Sequence, residues 1–228
     1  MALEKKLEAL ASLDGDIAVI QECSQLSIET LTASDGMTSY LLGENKNKGL
    51  GVLVRYPWKI VSSVPMGQEW IARCEIHGPV NFSLFAVWAC RGPKTEKGEN
   101  RYIRQVHSML DALKLNEPLQ DFVIAGDFNA NKRWDEEHRE RSHSEAVRKI
   151  EKLGGRSAYH LQRNEAQGSE ALPTIYHLKK REKPFHIDYV FLSERFQLKL
   201  SSVEVGKHDE WIALSDHMPM MVDLHMDR

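Results

Sequence analysis

Four short segments carry the side chains with the greatest chemical capacity: Gln21-Glu22, Gly126-Asp127-Phe128-Asn129, Phe185-His186-Ile187-Asp188-Tyr189-Val190-Phe191 and Ser215-Asp216-His217-Met218-Pro219. Asp127 and Asn129 follow an apolar run, Phe122–Ala125, which puts them at a strand mouth, where rigid backbone meets solvent. An Asx-capped turn is the other reading of the same tetrapeptide. On an extended strand His186, Asp188 and Val190 share one face, and Ile187, Tyr189 and Phe191 share the other. A carboxylate on so apolar a strand needs a partner, because burying it unpaired is costly. A structural ion pair would supply one, and so would His217, whose tautomer and basicity a carboxylate sets. Read alone, residues 215–219 are also a polar turn closed by Pro219. Glu22 ends an apolar strand as a lone carboxylate: either a solvated side chain or the sparse protein ligand that Mg²⁺ favours, since that ion keeps water and bonds phosphate oxygens.

Regular elements must position these groups. Leu3, Leu7, Leu10 and Ala11 recur at helical spacing and predict a helix over 2–13 that has no N-cap and no strand before it. Asp14-Gly15 is a turn. Strands are predicted at Asp16–Gln21, Gly49–Arg55, Lys59–Val64, Ile71–Ile76, Phe82–Ala89 and Phe122–Phe128. A charged loop spans Gly92–Asn100. Helices follow at Arg101–Leu113, with Ile103, Val106, Leu110 and Leu113 in one stripe, and at 142–153. The segment Gly154–Thr174 reads as loop, and strands return at Phe185–Leu192, Phe196–Val205 and Met220–Leu224. Most strand connections are too short for parallel crossovers. The pattern therefore predicts a mixed sheet, or two packed sheets with helices outside. No repeat or linker divides the chain, so residues 1–228 read as one domain.

With 42% hydrophobic and 28% charged residues over 228 positions, the composition is that of a globular chain. No apolar run approaches the roughly 18 residues of a membrane span. The N-terminus lacks the pattern of a secretory signal. Cys23, Cys74 and Cys90 are far apart and odd in number, which predicts reduced thiols, a cytoplasmic location and no thiolate zinc site. A net charge of −3 argues against a basic coating protein but leaves phosphate chemistry open. The basic run Lys179–Lys183 either steers an anionic substrate or is a solvated loop. Tyr176, His177 and Trp134 are candidate stacking groups. His138 and His143 sit roughly 140° apart on a helix and do not share an ion.

In chain order, the segments 20–22, 126–129, 186–191 and 215–219 resemble the endonuclease/exonuclease/phosphatase superfamily, the DNase I-like phosphodiesterases, and the resemblance spans residues 20–219. It implies an α/β, four-layer αββα sandwich: two mixed, mainly antiparallel sheets packed face to face, with helices outside. It implies Glu22 as the main divalent-metal ligand and Asp216 as a supporting acid near the metal. Asp127 would orient and deprotonate the attacking water, and Asn129 would contact a phosphoryl oxygen. His217 would bind or protonate the phosphate, oriented by Asp188. Apart from the resemblance, His186, on the strand face of Asp188, and Tyr176, in the loop before it, are candidate substrate contacts. The implied cofactor is Mg²⁺, with Mn²⁺ as a substitute, and the implied partner is a phosphodiester, nucleic acid among the candidates.

The sequence departs from the family twice. The family opens with a strand ending in Asn beside the metal-binding Glu, whereas this chain begins in the helix that follows. A truncation, an internal starting methionine or a degenerate member would each produce that. The expectation is a neighbouring strand with an unpaired edge and weak or absent activity. At Val87–Arg91, where many relatives carry a phosphate-touching Tyr or His, this chain has Trp88, with Arg91 as a replacement contact or a surface charge. The leading expectation is a Mg²⁺-dependent phosphodiesterase. A phosphomonoesterase acting on a small metabolite and a non-catalytic phosphate-binding module are the alternatives. The sequence does not express the oligomeric state.

Overall fold

The structure is a computed structural model that describes residues 7–35, 37–66, 70–90, 102–113, 119–136 and 141–226. In chain order it contains α1 (Leu7–Ala11), β1 (Ile17–Cys23), α2 (Gln25–Asp35), β2 (Thr38–Leu42), β3 (Gly49–Val54), β4 (Lys59–Pro65), β5 (Ile71–His77) and β6 (Phe82–Trp88). There follow α3 (Ile103–Leu113), β7 (Phe122–Asp127), α4 (His143–Lys152), β8 (Arg156–Ser157), α5 (Ala158–Arg163), β9 (Ile175–Tyr176) and β10 (Pro184–Phe185). The chain closes with β11 (Asp188–Leu192), α6 (Glu194–Gln197), β12 (Leu200–Val205), α7 (His208–Trp211) and β13 (Met220–Leu224). Of the helix expected over 2–13, residues 1–6 lie outside the described residues. So do Arg91 and the loop expected at 92–100.

β6 is buried at every position, so both of its faces must be covered. Phe85 and Val87 meet α3 and α4, together with Phe122, Ile124, Tyr189 and Phe191. Leu84, Ala86 and Trp88 point the other way, to Leu50, Val52 and Val54 of β3 and to Val203. β6 belongs to a sheet ordered β4-β5-β6-β7-β11-β8. Its pairings are antiparallel except β6 with β7, which run parallel. That parallel step needs a crossover, and α3 lies within it. The opposing layer holds two antiparallel sheets, β1-β3-β2 and β12-β13. Ile28 and Leu31 of α2, with Leu10 of α1, pack on its far side against Cys23 and Leu53. The result is the expected αββα order.

Several local expectations are corrected. α2 and β2 are additions to the predicted elements: in α2, Ser27 is buried beside Ile28 and Leu31 while Leu26 is exposed, so the apolar stripe is thin. The strand predicted over Phe196–Val205 starts only at Leu200, because Glu194–Gln197 is helical and buries Phe196 against Phe82 at 5.2 Å. The predicted loop 154–174 contains α5, which buries Ala158 and Tyr159.

β1 pairs only with β3 and β13 only with β12 among the described residues. Consecutive residues of both strands, Ile17–Glu22 and Met220–Leu224, line one cavity of about 1420 Å³ floored by Leu84, Val123, Ala125, Val190 and Leu192. Among the described residues, two strand edges without a ladder partner therefore face the same apolar slot.

Candidate active site

The slot opens into a cleft lined by Glu22, Asp127, Asn129, Asp188, Asp216 and His217. Strand pleating explains much of this. Val123, Ala125 and Asp127 share the inner face of β7, and Asp188, Val190 and Leu192 share the inner face of β11. In the antiparallel register Asp188 stands directly opposite Asp127. Two carboxylates so placed repel each other. Gly126, just before Asp127, has φ +137°, and an added Cβ there would overlap the Val87 carbonyl oxygen of the adjoining strand.

Asp127 is 3% exposed. Its Oδ1 accepts from the Asn129 amide at 2.7 Å, and its Oδ2 accepts from Asn129 Nδ2 at 2.6 Å. The Asx turn and the site are thus the same object, with Asn129 in the left-handed region at φ 46°. Asn129 Nδ2 also donates to Ala89 O at 2.9 Å. Both of its protons are therefore committed, and Asn129 acts here on the Asp127 carboxylate. Burial first, then the charge of Asp188, push the Asp127 carboxyl well above its ordinary range, against the opposing effects of His217 and the Asn129 amide.

His217 Nδ1 lies 3.0 Å from Asp188 Oδ2 and 3.3 Å from Oδ1. Burial disfavours its charge. The Asp188 carboxylate and its hydrogen bond, followed by the charges of Asp127 and Asp216, outweigh that and raise the imidazole pKa to about 10. With Nδ1 engaged, Nε2 is the free donor. The His217 amide donates to Ser215 Oγ at 3.1 Å, and an antiparallel bridge joins His217 to Ile175.

Thr174, fully buried, holds the pieces together. Its Oγ1 accepts from the amides of Ile187 and Asp188, both at 3.0 Å, and its carbonyl accepts from Met218 N at 2.7 Å. Sequence reasoning misses it, since one Thr after a Pro in an irregular stretch carries no periodic signal.

Glu22 reaches the cleft through a β-bulge. Ile20 pairs with Gly51 and Cys23 with Gly49, leaving Gln21 and Glu22 opposite Leu50 alone. Glu22 takes φ 56°, and its Oε1 sits 3.3 Å from Lys48 Nζ. The ligand-type atoms of Asp127, Asp188 and His217 lie within 4.8 Å of one another, a set that could hold a metal ion. Glu22 and Asp216 line the cleft outside that cluster. Glu22, exposed and engaged by Lys48 through one oxygen, is a further carboxylate of the cleft that could hold an ion. A carboxylate beside a wide cleft suits a hard cation that retains water.

Two expected contacts stand elsewhere. His186 is 3% exposed, with its ring 4.4 Å from Tyr159 and 5.1 Å from Tyr189, so it does not share the face of Asp188. The reason is local. β11 begins only at Asp188, and the His186 carbonyl is captured by Asn131 Nδ2 at 2.8 Å and Tyr189 Oη at 2.9 Å, which breaks the alternation. Its Nδ1 lies 2.8 Å from Leu172 O, and burial lowers its pKa. Tyr176 packs edge-on against His208 at 4.5 Å and donates its amide to Asp216 O, steadying the His217 segment without lining the cleft. Trp134 packs against Phe185 at 5.1 Å, and Trp88, 3% exposed, is core.

The model of the Endonuclease/Exonuclease/phosphatase family matches residues 5–217. The chain belongs to this family. Solved structures of endonuclease/exonuclease/phosphatase type share its fold at low identity. An AP endonuclease from Archaeoglobus fulgidus superposes with TM-score 0.70 at 16% identity, covering 97% of this chain and 93% of that one. A variant of the 3′ phosphatase NExo from Neisseria, bound to product DNA hairpin, gives 0.66 at 15%, covering 98% and 95%. The endonuclease domain of TRAS1, a telomere-specific non-LTR retrotransposon, gives 0.68 at 16%, covering 100% and 93%. No curated protein sequence matches the chain. The fold and its family point to hydrolysis of phosphate esters.

Proposed function

We propose that this protein is a divalent-metal-dependent phosphodiesterase that cleaves nucleic acid, with Mg²⁺, or Mn²⁺ in its place, held at Glu22 and supported by Asp216. The observation that carries the reading is the in-register pair of Asp127 and Asp188, one buried with a raised pKa and the other holding a charged His217. When bound, the ion neutralises phosphate charge that would repel a nucleophile. Asp127 takes a proton from the attacking water, while Asn129 fixes the orientation of its carboxylate. As the water oxygen bonds to phosphorus, the ester oxygen leaves. His217 donates from Nε2 to a phosphate oxygen, kept charged by Asp188. Two structural neighbours bear on the substrate: one is an AP endonuclease, and the other was captured with a DNA hairpin. With an overall charge of −3 and a single basic run at Lys179–Lys183, a short single strand or a DNA end suits the surface better than long duplex. The name of the second neighbour, a 3′ phosphatase, favours a terminal phosphomonoester as the second substrate to try.

The test is hydrolysis of a plasmid, a single-stranded oligonucleotide and a 3′-phosphorylated oligonucleotide, with Mg²⁺ and with chelator. Asp127→Ala is run alongside, and loss of a general base predicts a rate lower by about 10²–10⁴-fold. Chelator-insensitive cleavage, or wild-type rates in Asp127→Ala, would sink the proposal. Binding of the oligonucleotides without turnover would indicate a phosphate-binding module.

A further inference from the structure

Lys48 sits where a cation would sit. It ends the turn between β2 and β3, with its amide 3.0 Å from Asn45 O and that of Asn47 2.9 Å from Asn45 Oδ1. The next residue has no room for a side chain, since a Cβ on Gly49 would lie 2.9 Å from Leu42 O and 2.7 Å from Leu41 Cδ1. The turn is thus packed tightly and holds Lys48 just before β3, two residues from Leu50, which faces the β1 bulge. Lys48 Nζ lies 3.3 Å from Glu22 Oε1 and 4.9 Å from the centre of the Trp88 ring. Trp88 is in register with Asp127 on the neighbouring strand. The ammonium therefore enters the same cleft as Asp127, Asn129 and His217. Lys179 also lines the cleft, but its Nζ donates to Ala213 O at 3.0 Å.

We propose that Lys48 is the internal counter-ion of Glu22 in the metal-free protein, is displaced by the metal, and then contacts the substrate phosphate. The proposal rests on the reading of Glu22 as the metal-holding residue. One carboxylate oxygen serves Lys48 in the free state. A divalent ion competes for that oxygen, and like charges separate, so the ammonium leaves Glu22. Its flexible stem keeps it over Trp88 and within the cleft, where the incoming phosphate is the unpaired anion. The pair is half-exposed on both sides, so the competition is modest in size.

The experiment is Mn²⁺ binding, followed by electron paramagnetic resonance, for wild type, Lys48→Met, Lys48→Arg and Glu22→Gln. Methionine retains the stem over Trp88 and removes the charge. Lys48→Met is expected to bind Mn²⁺ about two- to fivefold more tightly than wild type, with Lys48→Arg close to wild type. Tryptophan emission is expected to change on metal addition in wild type, as the ammonium leaves Trp88, and not in Lys48→Met. With a phosphorothioate oligonucleotide present, Lys48→Met should bind that ligand more weakly. Mn²⁺ affinity that is unchanged or weaker in a folded Lys48→Met overturns this inference alone, as does undiminished oligonucleotide binding. Absence of Mn²⁺ binding in wild type, or full binding in Glu22→Gln, overturns it together with the metal reading of Glu22.

Discussion

Replacing Asp188 by Asn isolates what holds the charge on His217. The substitution keeps size and shape and removes one negative charge 3.0 Å from Nδ1. In the native site the imidazole is raised from 6.5 to about 10, with burial opposing that shift and Asp188 contributing most to it. A close opposite charge moves a titrating group by about 1–3 units, so the midpoint should fall to about 7–9 in Asp188→Asn. It should not fall much further. Asp127 loses the repulsion of Asp188, ionises more readily and continues to support the imidazolium. The sign follows from linkage. A raised histidine contributes stability that is complete below its unfolded pKa and is lost as pH rises through its folded one. The native protein should therefore lose this contribution progressively between about pH 6.5 and about pH 10, and the variant should have less to lose and finish losing it at lower pH. Nitrogen-15 NMR of the imidazole, titrated from neutral to alkaline pH, reads the midpoint directly. The alkaline limb of any hydrolytic activity should move down with it. An unchanged midpoint in a folded Asp188→Asn would refute the assignment of Asp188 as the residue that holds the charge.

Two further substitutions probe the scaffold. Gly126→Ala combines a positive φ with overlap on the Val87 carbonyl, and should cost about 2–6 kcal/mol in denaturant unfolding; a loss below about 1 kcal/mol would contradict the packing described. Thr174→Val keeps the shape of the side chain but strips the acceptor from two amides. It should cost about 1–3 kcal/mol and speed hydrogen exchange at Ile187 and Asp188, and unchanged exchange there would remove Thr174 from its positioning role.

Most of the site is legible in the sequence because its residues are local to strand ends. Apolar runs over 122–125 and 189–192 mark the two strands, and the strand pleat sets which faces Asp127 and Asp188 present. The same rule misplaces His186, because alternation holds only where the ladder holds, and side chains far along the chain claim the backbone of residue 186. Lys48 gives no signal: its meaning comes from a bulge in β1, visible only once β1 and β3 are in register. The elements α2, β2 and α5 escape prediction where polar residues dilute the apolar period. Of the two histidines weighed for metal binding, His138 lies outside the described residues. His143 is buried on α4, with Nε2 3.0 Å from Gln167 Oε1 and its pKa lowered by burial.

The open edges of β1 and β13 bear on how firmly the two sides of the cleft are set relative to each other. The His217 segment is bonded through its backbone to Ile175 and Thr174, and the Thr174 hydroxyl accepts from the Asp188 amide of the six-stranded sheet. Glu22 rides on β1, whose backbone ladder among the described residues runs only to β3, and from its strand end the Gln21 side chain reaches the six-stranded sheet, donating to Val87 O at 3.2 Å. The Glu22–His217 separation is therefore expected to be a soft coordinate, with both groups at working distance in only part of the ensemble. A ligand that must touch both pays for that selection, and its apparent affinity falls by the competent fraction. A strand joining β1 to β13 would remove the cost by stiffening the aperture, and the gain would appear in binding before it appeared in the chemical step.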